Sequence, residues 1–282
     1  MPFAQPVNQG GVGDTPGPDQ WFKALPFVTR CWFGATIVLT LSVNFGIISP
    51  YQILWSWAGV KSKFELWRVL TSFCYAGAFD FNTMISVYML VQFSKQYESG
   101  GPFNTGAGGG TADYAFMMIL GMIGTLVTYP LLLGFFSLPP LFCRNMIYYV
   151  LYTWSKRNPS APANIWGFQM EAIYLPFAYL AFSVFIGNSY MDMIFGMAIG
   201  HIYYFLVDVV PVVYGKDVLT TPQFLIEYFG VGEYRPQQPA PAAAPRGGFG
   251  GINRPAAAAA GGGGGGGGHN WGTGGQTLGR NQ

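Results

Sequence analysis

The chain has 282 residues, of which 51% are hydrophobic, 17% aromatic and only 9% charged. An ordinary soluble domain carries about 25% charged residues, so this composition excludes one and places the chain in a bilayer. A net charge of +2 speaks against an electrostatic nucleic-acid binder, and three scattered cysteines, Cys31, Cys74 and Cys143, form neither a disulfide framework nor part of a Cys/His metal cluster.

In chain order, residues 1–20 are rich in Pro, Gly and Gln, lack the basic start of a cleavable signal, and are expected to be disordered. The first span is predicted over Phe27 to Ile48, closed by Pro50, and serves as its own insertion signal. A first loop, Tyr51 to Asp80, mixes Trp55, Trp57, Phe64, Trp67 and Phe73 with Lys61, Lys63, Glu65 and Arg68; this is the composition of amphipathic pieces lying in the headgroup layer. A short second span follows at Asn82 to Phe93, then a Gly-rich loop, Ser99 to Thr111. The third span is predicted over Tyr114 to Phe136, a short fourth over Pro140 to Trp154, a fifth over Phe168 to Ile186 with Pro176 inside it, and a sixth over Met191 to Val213. The expected architecture is an all-α membrane domain, residues 21–230, with six transmembrane helices, followed by a Pro/Ala/Gly-rich tail, 231–282, that cannot bury a core.

The basic residues give a direction. With a cytosolic N-terminus and six crossings, Lys23, Arg30, Lys95, Lys156, Arg157, Lys216 and the four tail arginines share the cytosolic side, against Lys61, Lys63, Arg68 and Arg144 opposite. The positive-inside rule favours this arrangement, with both termini cytosolic.

Proteolysis within the membrane needs a nucleophile and a base at one depth. His201 in the sixth span is the only histidine suited to be that base, since His269 lies in the tail, while the fourth span begins Leu141-Phe-Cys-Arg-Asn-Met and offers no serine there; Ser137 and Ser155 flank it. An aspartyl dyad is excluded because Asp192 and Asp208 lie on one helix about 24 Å apart at 1.5 Å per residue. Asn82, Gln92, Gln169, Glu171, His201 and Asp208 are the polar groups within or beside spans, where such groups face a bundle interior or a wet cavity, or make plain interhelical hydrogen bonds.

Four stretches share a pattern. Trp67-Arg68 lies in the first loop; an interfacial Trp beside a snorkelling Arg is its plainest reading. The sixth span contains Gly196-Met-Ala-Ile-Gly200-His-Ile-Tyr-Tyr-Phe with Asp208 and Pro211 beyond, and its Gly-x-x-x-Gly lets a neighbouring helix approach to backbone distance. Ser155-Lys-Arg-Asn-Pro159 and Gly167-Phe-Gln complete the set. Together they resemble the derlins, rhomboid-superfamily pseudoproteases of endoplasmic-reticulum-associated degradation, over about residues 22–228.

The resemblance implies a rhomboid-like bundle without a serine nucleophile or cofactor, in the endoplasmic reticulum membrane. Its implied role is retrotranslocation: engaging misfolded lumenal or membrane clients, thinning the bilayer and handing clients to a cytosolic ATPase. Partners implied with it are an AAA ATPase of the valosin-containing-protein type and a membrane ubiquitin-ligase complex, with homo- or hetero-oligomers left open. Tail residues 271–279 resemble the SHP box that binds this ATPase, through Trp271, Gly275, Gln276, Leu278 and Gly279, although Thr273 and Thr277 depart from the pattern. A scaffold without a translocation path, and a small-solute transporter, are the alternative readings; a transporter would predict an inverted repeat, and none is evident.

Overall fold

The computed structural model describes residues 17–101, 109–136, 138–165, 167–215 and 217–229. The tail with its SHP-like box, His269, Ser137 and most of the N-terminal segment lie outside the described residues.

The helices are α1 (Pro18–Lys23), α2 (Phe27–Asn44), α3 (Pro50–Ile53), α4 (Trp57–Lys63), α5 (Trp67–Thr71), α6 (Phe81–Gly100), α7 (Gly110–Leu132), α8 (Cys143–Arg157), α9 (Leu175–Phe185), α10 (Met191–Tyr204), α11 (Val210–Tyr214) and α12 (Gln223–Phe229). Helix α1 straddles the boundary set at residue 20. Strands β1 (Pro162–Ile165) and β2 (Phe168–Glu171) form an antiparallel hairpin between α8 and α9, and a 3-10 turn, Ala172–Tyr174, leads into α9.

Helix α8 is the axis of the bundle, with twelve of its 15 residues buried. Helices α6, α7, α9 and α10 pack around it, and α2 packs on α6 and α7. Side-chain contacts fix the directions. Thr29 at the start of α2 meets Glu98 at the end of α6. Ser94 of α6 meets Tyr114 near the start of α7, and Tyr129 near the end of α7 packs edge-on against Phe142 before α8. Arg144 and Arg157, near the two ends of α8, pair with Asp192 at the start of α10 and Asp208 beyond its end, so α8 and α10 run parallel. The chain therefore alternates in direction through α2, α6, α7, α8, α9 and α10, and the bundle has an Arg157 end and an Arg144 end.

Large apolar side chains are exposed on the outside of the bundle, and in places polar ones are turned in. In α2, Thr29, Thr36 and Thr40 face inward, whereas Val38 is 65% exposed and Leu41 also faces out. The Thr29 and Thr40 hydroxyls are hydrogen-bonded to other segments, and aliphatics turned outward are what a lipid solvent selects. Three helical stretches, Phe27–Asn44, Gly110–Leu132 and Met191–Tyr214, are long and apolar enough to cross a membrane by length and composition.

Two predicted spans need correction. The second does not stop at Phe93; α6 continues to Gly100, two more turns, because Ser94, Tyr97 and Glu98 are buried against partners inside the protein rather than released to water. At 20 residues it is about 30 Å long, the full thickness of the hydrocarbon, and is not a short helix. The fifth does not begin at Phe168: residues 168–171 are β2, and the helical part is Ala172–Phe185. Here a turn won over hydropathy. Gly167 takes φ +95°, which a residue with a side chain rarely adopts, and its N–H donates to Asn164 Oδ1 at 2.7 Å, closing the hairpin. The domain is thus helical except for this hairpin. The sixth span is continuous through Tyr214, with a π turn at Phe205–Val209. Pro211 has no N–H for the carbonyl of Val207 and its ring crowds it, so widening this turn relieves the clash.

Candidate functional site

The interface of α8 with α10 gathers most of the sixth-span residues singled out in the sequence. A Cβ added at Gly196 would collide with the backbone carbonyl of Asn145, and one at Gly200 would come within 3.2 Å of the carbonyl of Tyr149. These glycines set how closely α10 lies on α8. Each end of the pair carries an ion pair. Asp208 accepts from Arg157 Nε and Nη2 at 3.0 and 2.9 Å, and the guanidinium lies over the rings of Tyr97 and Tyr203 while donating to the Tyr97 hydroxyl. At the other end Arg144 Nη1 is 3.5 Å from Asp192. Arg157 is nearly buried, its side chain only 3% exposed, and a buried guanidinium needs this many partners to offset desolvation. The spacing was a usable signal: Arg144 and Arg157 are thirteen residues apart on one helix, and Asp192 and Asp208 sixteen on the other.

His201 faces Tyr152, whose hydroxyl is 2.9 Å from Nδ1. The histidine is exposed, and the nearby Ser155 hydroxyl donates instead to the carbonyl of Tyr152. The side chain hydrogen-bonded to His201 among the described residues is thus the Tyr152 phenol.

The other polar candidates scatter. Gln169 and Glu171 lie exposed on β2, outside the helical part of the fifth segment, which corrects their placement in a helix. Asn82 sits in the first turn of α6, lining a small cleft with Ser86, Arg144 and Ser183. Gln92 is half-buried and belongs to a different feature, an opening between α6 and the hairpin with α9. Two adjoining cavities, about 390 and 230 Å³, lie there and share Tyr88, Asn164 and Tyr179 in their walls. Gln92 and Gln96 from α6 and Asn164 from the hairpin give the inner one a polar lining beside Phe93 and Trp154. Among the described residues, Gln96 Oε1 is buried without a hydrogen-bond partner. Gln96 and Asn164 escaped the sequence reading because neither falls within a predicted span.

In the first loop, Arg68 is the organiser. Its Nε donates to Glu65 Oε2 at 2.5 Å and its Nη1 to the carbonyls of Tyr51 and Leu54 at 2.7 and 2.9 Å, tying α5 to α3 and the chain after it. Trp67 points away and is 54% exposed, as are Trp57 at 66% and Leu70 at 61%, giving the loop an apolar outer face. Burial pushes the Cys74 thiol up to about 11, so it is protonated and unreactive at neutral pH.

Fold and site together define a polytopic helical membrane protein whose most closely fitted parts are one helix pair and an interfacial loop. The model of the Der1-like family matches residues 25–223. The chain is 34% identical to human Derlin-1 over 263 residues, covering 90% of this chain and 95% of that protein. It is 31% identical to Derlin-2.2 of Arabidopsis thaliana over 239 residues, 80% and 95% of the two chains, and 34% identical to Derlin-1.1 of Zea mays over 211 residues, 74% and 83%. The chain belongs to the Der1-like family, the derlins.

Proposed function

We propose that this derlin acts in endoplasmic-reticulum-associated degradation as a retrotranslocation factor, with the opening between α6 and α9 as the lateral path for a misfolded client. One observation carries the reading: an opening beside α6 whose inner part sets Gln92, Gln96 and Asn164 among aromatic and aliphatic walls. Polar groups at membrane depth are tolerated where they meet water or a polar chain. The helix beside it, Ala172–Phe185, spans about 21 Å against a hydrocarbon thickness of about 30 Å. Its outer face is apolar, with Phe177 and Phe185 exposed at 51% and 88%, so it draws the bilayer inward locally. Thinning is thus assigned to α9 and not to α6, which is long enough to span, nor to α8, which is enclosed by its neighbours.

In this reading six helices cross the membrane, and both termini are cytosolic. Phe27 and Phe229 meet edge-on with ring centroids 5.8 Å apart, which supports an even number of crossings. Residues 271–279 of the tail recruit the AAA ATPase that supplies the pulling force, and the membrane ubiquitin-ligase complex supplies the client. No step requires a covalent intermediate.

The test is site-specific photocrosslinking in cells that rely on this chain for clearing a misfolded membrane client. A photoreactive side chain at Tyr88 or Gln92 captures the client, and one at Val127 on the outer face of α7 does not. Equal capture from both places, or none from the opening while the client is still degraded, sinks the path. Deleting residues 269–282 tests the tail separately: undiminished ATPase capture removes that assignment.

A further inference from the structure

A second groove lies on the other side of α6, enclosed by α1, α2 and α6, with a volume of about 520 Å³. Its walls are Leu25, Phe33 and Ile37 on one side and Val87 and Val91 on the other. It runs along α6 from Thr83 to Lys95, twelve residues and so about 18 Å, slightly more than the ~15 Å depth of one leaflet's hydrocarbon. The two ends differ chemically. At the Arg144 end the lining is apolar or turned inward, with Leu41 and Phe79 and the buried Thr83. At the Arg157 end it closes on Lys95, Gln92 and the indole of Trp21.

Lys95 is exposed and forms no ion pair among the described residues. The acids near this end are already engaged. Glu98 accepts from the backbone N–H groups of Val28 and Thr29 and from the Thr29 hydroxyl at 2.7 to 3.0 Å, and Asp19 is 3.9 Å from Lys23. Arg30 adds a second cation beside α1, its Nη1 donating to the carbonyl of Lys23 at 3.3 Å. The end of the groove is therefore basic, beside an interfacial tryptophan, and the rest of it is apolar for one leaflet's depth.

We propose that this groove is a binding site for an anionic phospholipid, which lays one acyl chain between α2 and α6 and sets its phosphate and headgroup at Lys95. The match is in length, polarity and charge: a solute would leave most of the apolar wall unused, and a zwitterionic lipid, whose phosphate is offset by its own ammonium, would be drawn to Lys95 less strongly than an anionic one. A lipid held there buttresses α6 from behind, on the side away from the opening next to α9; Met84, Tyr88 and Gln92 contribute to the walls of both. The inference needs only insertion in a membrane and is independent of the translocation reading.

The full-length chain in nanodiscs of phosphatidylcholine, doped with phosphatidylserine carrying a photoreactive acyl chain, provides the test. A second arm carries the same photoreactive chain on phosphatidylcholine. Phosphatidylserine adducts are expected on peptides containing Ile37 and Val87. Lys95→Gln should lower them about fivefold, the effect of one cation near an anionic headgroup, and leave phosphatidylcholine adducts unchanged. Val87→Trp, which fills the groove, should remove adducts of both lipids; Ile37→Trp does the same from the opposite wall if the first variant fails to fold. The proposal is overturned if adducts spread evenly onto outer residues such as Val127 and Leu131. It is equally overturned if Lys95→Gln affects neither lipid.

Discussion

Gly196 and Gly200 differ in what they protect. A methyl at Gly196 meets main chain that cannot step aside, whereas at Gly200 part of the contact is with the ring of Tyr152. Gly196→Ala is therefore expected to cost about 2 to 3 kcal/mol and Gly200→Ala about 1, within the range for overpacking, measured by thermal unfolding in detergent. Equal losses would mean that α10 shifts as a rigid body. Trp67 and Arg68 separate in the same way. Arg68→Ala leaves the Tyr51 and Leu54 carbonyls without their donor and should open the first loop to protease in proteoliposomes; Trp67→Ala should leave the loop intact and loosen only its hold on the membrane surface. The adjacent pair of letters was readable as a motif, but not that one side chain staples the loop while the other faces outward. That depends on where α3 lies, and no local pattern states it.

At the level of elements, α8 and α10 are held by small residues in the middle and charge at both ends. The Arg157–Asp208 pair is the stronger clasp, because its guanidinium is nearly buried and engaged on several sides. Asp208→Ala should cost about 3 kcal/mol or more, since it leaves a buried cation without its anion, and the double variant Arg157→Met, Asp208→Leu should recover much of that loss. Stability in a common detergent, read as a double-mutant cycle, checks this; additive losses would show that the aromatic rings, not the carboxylate, hold Arg157. The Arg144–Asp192 contact is longer and should matter less. Helix limits were legible where hydropathy changes sharply, as at the sixth span, and the third was found about one turn out of place. They were misplaced at α6, whose last two turns are polar yet buried, and at the hairpin, where Gly167 and Asn164 make a turn inside an apolar stretch.

Across the whole molecule, the six alternating helices bring the start of α2 and the end of α12 together at Phe27 and Phe229. Epitope tags fused at the two termini should therefore be cleaved from the same side of sealed microsomes. Protection of one tag and loss of the other would require an odd number of crossings and would reverse one end of the chain. The opening beside α9 and the groove behind α6 also belong to this scale, because each is walled by elements far apart in sequence: residue 92 with residue 164, residue 21 with residue 95.

The sequence by itself determined the solvent. Half its residues are apolar and few are charged, and span-length apolar runs that prefer lipid do so wherever they sit in the chain. It also determined the family, through Gly196, Gly200 and the residues that follow them, because close helix approach demands small side chains at fixed spacing. Tertiary structure decided which polar residues matter. Gln169 and Glu171 fell away onto an exposed strand, and Arg157, Glu98, Gln96 and Asn164 took on roles. A polar side chain in a membrane protein is placed by the partner that satisfies it, and that partner comes from another helix.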